Sequence, residues 1–217
     1  MNNNVKKEMV IDFIVSSIAL MFFLVIMALV LSDYSFKIDK FNIVISNNRN
    51  AFLTGFFKVF THLGSFYTLA VLALVGVGYL LFVKKEKRLA AFYGVCFAKV
   101  CIANLLLKLI IRRVRPEHLM IINETGFSFP SGHAMMTLAF FFLLGHFVCK
   151  TIKNNALKIS LVSIFSLIVV AIGFSRIYLG VHYLTDILAG WLITISILMS
   201  GLIVYKSKMF KFLKDKR

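Results

Sequence analysis

Proline, cysteine and acidic residues are all scarce in this chain of 217 residues, which has 2 prolines, 3 cysteines and 9 aspartates and glutamates. Hydrophobic residues make up 60% of the chain, and its mean hydropathy is +0.89. Since an ordinary soluble domain is about 45–50% apolar, the composition excludes that class. We predict a single integral membrane domain over residues 1–217.

The few cysteines lack the spacing of a metal site or a disulfide framework. Cys96, Cys101 and Cys149 each fall inside an apolar run, where we predict small packing residues. The ligand sets for zinc and for hard cations are also missing from the sequence. We therefore predict neither a metal nor another cofactor.

The formal net charge of +16 raises the possibility of a nucleic-acid partner. Most basic residues, however, flank the apolar runs and do not form one binding face. Anionic lipid headgroups are the simpler partner for such a distribution. We predict contact with membrane lipids, no nucleic acid and no required protein partner.

Six apolar runs are long enough to cross a bilayer as helices, which need about 20 residues each. The run at 13–31 exceeds the apolar core of a signal peptide, about 7–15 residues, and lacks a clear cleavage site. We therefore predict an all-α bundle that retains this first helix. The predicted spans are 10–31, 66–83, 89–110, 134–150, 157–174 and 186–205.

Lysine and arginine cluster in four segments: before the first span, after the second, after the fourth and after the sixth. With six spans these segments share one side of the membrane, which the positive-inside rule makes cytoplasmic. Both termini are then cytoplasmic in a multi-pass protein of the plasma membrane. The basic clusters are Lys6, Lys7, 84–88, Lys150, Lys153, Lys158, Lys206, Lys208, Lys211, Lys214, Lys216 and Arg217.

The remaining connections, 32–65, 111–133 and 175–185, are predicted to face outward. The middle one carries three arginines against the charge rule, which indicates an anionic ligand. In the first, apolar residues recur at helical spacing over 49–65, so we predict a helix in the plane of the interface. A cap on the bundle and a lip that guides substrate both fit this helix.

The sequence KLIIRRVRP, residues 108–116, closes the third span with two well-spaced cations. Arg115 suits phosphate because its planar guanidinium makes two parallel hydrogen bonds, and Lys108 adds a second positive charge. Pro116 ends the helical pattern. Cationic side chains that extend to lipid headgroups fit the same residues, so this cluster alone leaves anion binding open.

The sequence FPSGHAMM, residues 129–136, opens the fourth span. If the helix begins near Ser131, the N–H groups of Ser131, Gly132 and His133 lie at its N-terminus and favour an anion. Gly132 allows close approach to the backbone, and the Ser131 hydroxyl can donate or cap. His133 would lie beside the anion, placed to move a proton. An ordinary N-cap before an interfacial histidine fits equally well.

The sequence SRIYLGVHYLTD, residues 175–186, joins the last two spans. His182 and Asp186 are four residues apart, so one helical turn places them on the same face. A carboxylate beside an imidazole fixes its tautomer and stabilises its charged form. Arg176 supplies another anion-binding guanidinium. The alternative is an interfacial pair with a boundary arginine.

All three clusters lie at the predicted outer ends of spans, so they predict one shared site. Cations could hold the nonbridging oxygens of a phosphate while one histidine attacks phosphorus and another protonates the leaving oxygen. Two remaining features are predicted to lie outside this chemistry. Lys99 is on the opposite helical face from Lys108, and the outer-loop residues Glu117, His118 and Glu124 are expected to be solvated.

In this order the three clusters resemble the signature of the type 2 phosphatidic acid phosphatase superfamily, with every position filled. The matches are Lys108 with Arg115–Pro116 for K-x6-R-P, 130–133 for P-S-G-H, and Ser175, Arg176, His182 and Asp186 for S-R-x5-H-x3-D. The resemblance extends from the third span to the sixth. It implies the helical bundle that this family shares with acid phosphatases and vanadium haloperoxidases.

The resemblance also implies a role for each matched residue. His182 is the nucleophile that forms a phosphohistidine, Asp186 orients and charges its ring, and His133 protonates the leaving group and then activates water. The residues implied to bind phosphate are Lys108, Arg115, Ser131, Gly132 and Arg176. The residues alone do not decide which histidine attacks.

By this resemblance the chain is expected to be a metal-independent phosphatase of lipid phosphates or diphosphates with its site facing outward. Undecaprenyl diphosphate is the first-choice substrate and phosphatidylglycerophosphate the next, since the bacterial branch includes phosphatases of both. Two alternatives stay open. One is a lipid phosphotransferase that passes the phosphoryl group to an alcohol, and the other is a non-catalytic protein that binds lipids or anions.

Overall fold

A computed structural model describes residues 3–207, and every regular element within that range is helical. A π-helical turn, Tyr79–Val83, extends α5, and two 3-10 turns lie in the connections, at Thr61–Gly64 and Glu117–Leu119. The α-helices are α1 (Asn3–Leu31), α2 (Phe36–Asp39), α3 (Phe41–Asn47), α4 (Ala51–Phe60), α5 (Phe66–Gly78), α6 (Lys87–Ile111), α7 (Gly132–Thr151), α8 (Asn155–Tyr178) and α9 (Leu184–Lys206).

Six of these helices are long and apolar enough to cross a membrane, which confirms the predicted number and order of spans. The fourth and fifth spans are longer than predicted, at 20 and 24 residues. Each begins at a capping side chain: the Ser131 hydroxyl accepts from the N–H of Ala134, and the Asn154 side chain accepts from the N–H of Leu157. The apolar run marks only the part of each helix that needs the bilayer, so it underestimates the helix.

The first span, α1, packs along the last described span, α9, through polar groups. The Ser16 hydroxyl lies 3.1 Å from the hydroxyl of Ser196 and 2.9 Å from that of Ser200. Near the end of α9, Lys206 donates to Asp12 at 2.8 Å. Hydroxyl pairs of this kind join helices in an apolar medium, where side-chain polar groups have few other partners.

A buried apolar core joins α5, α6, α7 and α9. Its centre contains Val100, Met135 and Leu198, all fully buried. Cys96 packs in this core as predicted, whereas Cys149 is exposed, so the packing prediction was wrong for Cys149. Lys99 is exposed on α6.

The predicted interfacial helix is present as α4, followed by a 3-10 turn. Its Phe57 ring packs against Phe174 and Tyr178 of α8, while Phe52 is 81% exposed. The short helices α2 and α3 before it were not predicted. They lie against the start of α9 and the end of α8, where the candidate site is built.

The prediction of cytoplasmic termini remains a prediction. Lys206 pairs with Glu8 and Asp12, so the two ends of the described chain lie together at the end of the bundle opposite the motif residues. The tail residues that contributed to the sidedness prediction lie outside the described residues: Lys208, Lys211, Lys214, Lys216 and Arg217.

Candidate active site

The way in which α6 ends determines where the Lys108 side chain of the first motif lies. Arg112 is in the left-handed conformation, with φ 51°, and its N–H closes the last turn on the Lys108 carbonyl. The chain therefore leaves the helix there, and the Lys108 side chain projects from the last turn. Its ammonium donates to the Phe127 carbonyl at 2.8 Å. The Lys108 side chain thereby holds the end of the loop that leads to α7 against α6.

Arg115 joins two segments of the site, the outer loop 111–133 and the loop before α9 that carries His182. Its Nε donates to the Gly126 carbonyl at 2.9 Å, and its Nη1 donates to the Val181 carbonyl at 2.7 Å. The same Nη1 lies 3.2 Å from Nε2 of His182. A guanidinium has no acceptor, so this contact requires an unprotonated Nε2. The proton of a neutral His182 must then be on Nδ1.

The Nδ1 atom of His182 faces Oδ2 of Asp186 at 3.3 Å, which agrees with that tautomer. Asp186 is fixed by further donors to the same oxygen, namely the Tyr183 N–H at 2.9 Å and the Ser128 hydroxyl. Both members of the pair are buried, with His182 1% exposed and Asp186 0% exposed. The carboxylate of Asp186 therefore orients a ring whose other nitrogen faces Arg115.

Burial lowers the pKa of His182 to about 3, because the surrounding protein disfavours the charged imidazolium. The hydrogen bond and charge of Asp186 oppose this shift, and the charges of Arg115 and Arg176 reinforce it. The ring is therefore neutral over the whole physiological pH range. A neutral imidazole is the form that a nucleophile needs.

The second motif begins α7 as predicted, with Ser131 as its N-cap. The prediction that the Ser131 N–H is free for an anion was wrong, since it donates to the Asp186 carbonyl at 3.1 Å. Ser131 thus ties the second motif to the third. The N–H groups of Gly132 and His133 belong to the first turn, where no helical carbonyl precedes them. A Cβ on Gly132 would lie 3.1 Å from Oδ1 of Asn104, so this position also needs glycine for packing.

Arg176 is the third cation, and it is 1% exposed. Its Nη1 donates to the Thr61 hydroxyl at 3.0 Å, and its Nη2 pairs with the carboxylate of Glu124. Its Nε has no hydrogen-bond partner among the described residues. An unpartnered buried donor is costly, so Arg176 retains capacity for a further acceptor.

The prediction that Glu124 is a solvated loop residue was wrong. Its carboxylate is bound to Arg176 and lies 3.9 Å from Nη2 of Arg115. Burial alone would raise the pKa of Glu124, but the two arginines lower it below the ordinary value. An ionised carboxylate therefore occupies the position between two predicted phosphate-binding residues. No spacing in the sequence pairs Glu124 with Arg176, which is 52 residues away.

A cavity of about 1040 Å³ opens above these residues. His133 and Arg176 line it from the motif side, and Lys58 and His62 line it from α4 and the turn that follows. His182 and Arg115 are buried and do not line it. The predicted interfacial helix therefore packs on the bundle and forms one wall of this cavity.

We expect Glu124→Gln to strengthen inhibition by inorganic phosphate. If Arg176 binds phosphate as predicted, the phosphate must displace the Glu124 carboxylate, and a neutral amide competes less well for that guanidinium. The inhibition constant should fall by about 10-fold, roughly 1.4 kcal/mol, in steady-state assays of the hydrolysis proposed below. Glu117→Gln, which removes the same charge from the same exposed loop, is the control. An equal fall in both variants would show that loop charge alone, and not displacement, is responsible.

The structure brings all eight predicted site residues to one end of the bundle through the contacts above. The sequence predicted an anionic ligand for the arginines of this loop. In the structure Arg113 instead pairs with two protein carboxylates, those of Asp39 and Asp186. Within residues 3–207, no group of three or more His, Cys, Asp or Glu side chains is arranged to hold a metal ion.

Comparisons with known proteins agree with the motif. A family model described as "PAP2 superfamily" matches residues 88–210, more than half of the chain. Phosphatidylglycerophosphatase B of Bacillus subtilis (strain 168) is 35% identical over 133 residues, which cover 60% of this chain and 64% of that protein. The chain thus matches slightly less than two thirds of this relative. Undecaprenyl-diphosphatase of Sulfolobus acidocaldarius is 25% identical over 174 residues, 74% of each chain.

Two solved structures share the fold. The crystal structure of a transmembrane PAP2-type phosphatidylglycerolphosphate phosphatase from Bacillus subtilis superposes with a TM-score of 0.76. It is 27% identical, and the match covers 90% of this chain and 95% of that one. Aquifex aeolicus LpxE gives a TM-score of 0.60 at 26% identity, covering 75% of this chain and 93% of that one.

Proposed function

Because this chain belongs to the PAP2 superfamily, we propose that it is a membrane phosphatase that removes the terminal phosphate from a lipid phosphate or diphosphate. The observation that carries the proposal is the state of His182. Its Nε2 lies 3.2 Å from Nη1 of Arg115, a predicted phosphate-binding residue, and this contact requires an unprotonated Nε2. A neutral nucleophile surrounded by cations is the arrangement that attack on an anionic phosphorus requires.

Binding of the substrate begins with displacement of Glu124. The terminal phosphate takes the position of that carboxylate on Arg176 and uses the free Nε of the same side chain. Arg115 shifts its contact from His182 to a phosphate oxygen, which frees the Nε2 lone pair. Lys108 and the first-turn N–H groups of Gly132 and His133 complete the cradle. These donors neutralise the charge that repels a nucleophile from phosphate.

In the first chemical step, Nε2 of His182 attacks phosphorus. The N–P bond forms, the bond from phosphorus to the lipid-side oxygen breaks, and His133 gives its proton to that oxygen. The proton on Nδ1 of His182 stays in its hydrogen bond to Asp186, whose negative charge stabilises the positive charge on the phosphorylated ring. The lipid product leaves, and a phosphohistidine remains.

In the second step, His133 is neutral and takes a proton from water. The water oxygen attacks phosphorus, the N–P bond breaks, and the electron pair returns to Nε2 of His182. Inorganic phosphate leaves, and His133 is again protonated for the next cycle. The same histidine therefore acts as acid and then as base.

We propose that the site faces outward and receives a lipid whose tail stays in the bilayer. The basic clusters at the opposite end of the bundle support this orientation by the positive-inside rule. The two curated relatives act, by their names, on phosphatidylglycerophosphate and undecaprenyl diphosphate. These lipids share one feature, a terminal phosphate on a membrane-anchored group. Undecaprenyl diphosphate remains our first choice because it is the one expected at an outward-facing site.

A panel of lipid phosphates tests the proposal. Purified protein in detergent should release inorganic phosphate from at least one of undecaprenyl diphosphate, phosphatidylglycerophosphate and phosphatidic acid. Comparison of kcat/KM ranks the headgroups. Addition of labelled lipid and a candidate alcohol acceptor distinguishes a hydrolase, which releases phosphate, from a transferase, which labels the acceptor. No release and no transfer from any lipid of the panel would refute the proposed function.

A further inference from the structure

Arg113 makes a bridge between two carboxylates beside the nucleophile. Its Nη1 donates to Oδ1 of Asp186 at 2.6 Å, and its Nη2 donates to Oδ2 of Asp39 at 2.5 Å. The Ser35 hydroxyl accepts from the same Nη2 at 2.9 Å, and the Tyr183 ring centre lies 4.0 Å from the guanidinium carbon. One cation is therefore shared between the carboxylate that orients His182 and a second carboxylate that takes no part in the proposed chemistry.

The second carboxylate comes from α2, in the connection for which the sequence predicted no structure before residue 49. Asp39 also accepts from the N–H of Thr185 at 3.1 Å and from its hydroxyl at 2.9 Å. One turn later Asn42 donates to the His182 carbonyl at 2.8 Å and accepts from the Leu184 N–H at 3.1 Å. Helices α2 and α3 thus hold the backbone within the segment from His182 to Asp186.

The two oxygens of Asp186 have separate tasks. Oδ1 accepts from Arg113, whereas Oδ2 faces Nδ1 of His182. Burial by itself would lower the pKa of Arg113, but Asp186 and Asp39 together raise it above the ordinary value. The bridge is therefore permanently charged. The negative charge of Asp39 therefore determines how strongly Arg113 draws electron density from the Asp186 carboxylate.

We propose that Arg113 and Asp39 are positioning residues for the His182–Asp186 pair. Arg113 fixes the carboxylate plane of Asp186, and Asp39 holds Arg113 and offsets its charge, so that Asp186 keeps enough negative charge to stabilise the phosphorylated ring. The inference rests on the proposed function. Arg113 binds the oxygen of Asp186 that does not face His182, so neither residue is placed to touch a phosphorus atom attacked by Nε2.

The electrostatic reason is the balance of charge around the ring. Without the charge of Asp39, the full charge of Arg113 would act on Asp186 and weaken its effect on His182. The phosphate-binding cations lie on the opposite side of the ring and keep their places. Seven charged or titratable groups interact with His182 or Asp186: Arg113, Arg115, Arg176, Lys108, Glu124, His133 and Tyr183.

The test compares Asp39→Asn with Asp33→Asn in the full-length protein. Asparagine keeps one acceptor oxygen for Thr185, but its amide NH2 cannot accept from Arg113 and it carries no charge. Asp33 is an exposed carboxylate six residues earlier in the same connection. For Asp39→Asn we expect kcat to fall by about 10- to 100-fold. KM and the inhibition constant of inorganic phosphate should stay within about 2-fold, because the phosphate cradle is unchanged. Asp33→Asn should match the wild type.

A second pair of variants separates charge from packing. Arg113→Lys keeps one positive charge but cannot bridge both carboxylates, so it should lose less kcat than Arg113→Met, which leaves two buried carboxylates unpaired. If Asp39→Asn does not yield a folded protein, the comparison of kcat between Arg113→Lys and Arg113→Met tests the inference instead. An equal loss in both would overturn the inference.

A kcat for Asp39→Asn equal to that of the wild type would also overturn it. So would a parallel rise in KM and in the phosphate inhibition constant, which would indicate general disruption of the site. Failure of the proposed function has a different signature. In that case the wild type itself would release no phosphate from the lipid panel, or His182→Ala would release as much as the wild type.

Discussion

Replacement of His182 with alanine is expected to abolish phosphate release while the protein remains folded. The variant lacks the nitrogen that we propose to form the covalent intermediate, Nε2 of His182. We expect kcat to fall by at least about 10⁴-fold on the best lipid substrate. The measurement is initial-rate phosphate release in detergent, together with a test for acid-labile, base-stable labelled phosphoenzyme, which only the wild type should form.

A matched histidine controls for the substitution itself. His118 lies on the outer loop and is exposed, so His118→Ala should keep wild-type activity. Thermal unfolding and helical circular dichroism of both variants should show the folded bundle, since the six spans do not depend on this side chain. If His182→Ala retained even a tenth of the wild-type rate, another residue would be the nucleophile and the proposed mechanism would be wrong.

Replacement of His133 with glutamine should separate the two chemical steps. The variant keeps the shape of the helix start but can neither protonate the leaving oxygen nor activate water. With a lipid substrate we expect kcat to fall by about 10²–10⁴-fold, the range of general acid–base catalysis. With p-nitrophenyl phosphate, whose leaving group needs no proton, the first step should be much less affected.

The second step of that variant stays slow with either substrate, because no base activates the water. A burst of p-nitrophenol, equal to the enzyme concentration, should therefore precede a slow steady state. The trapped phosphohistidine should be visible as label on the protein and should be absent from the double variant with His182→Ala. A uniform loss with both substrates, without a burst, would contradict the assignment of His133 as acid and base.

The six spans could be predicted because the bilayer leaves a chain few choices. A segment inside the hydrocarbon must satisfy its own backbone groups, so an apolar run of sufficient length is a helix whatever its tertiary contacts. The candidate residues could be predicted because they occupy short local patterns, such as Ser131 before Gly132 and His133. Local spacing also anticipated that His182 and Asp186 would face each other, four residues apart.

The features that the sequence did not predict depend on contacts between residues that are far apart in the chain. Glu124 on Arg176 and Asp39 on Arg113 join residues that are 52 and 74 positions apart, and a single sequence contains no signal for such pairs. The helices α2 and α3 are short and gain their place from contacts with the start of α9, so hydrophobic periodicity does not reveal them. The sequence indicated which cations are present but not which of them are already paired by protein carboxylates.

The hydroxyl and ionic contacts between α1 and α9 also determine at what point in its synthesis the bundle can be completed. A ribosome makes α1 first, with Asp12 and Ser16 on its surface, yet their partners on α9 arrive only after about 180 further residues have been synthesised, the separation of Ser16 from Ser196. Since Asp186 lies in the first turn of α9, a nascent chain that ends before α9 also lacks the proposed His182–Asp186 pair.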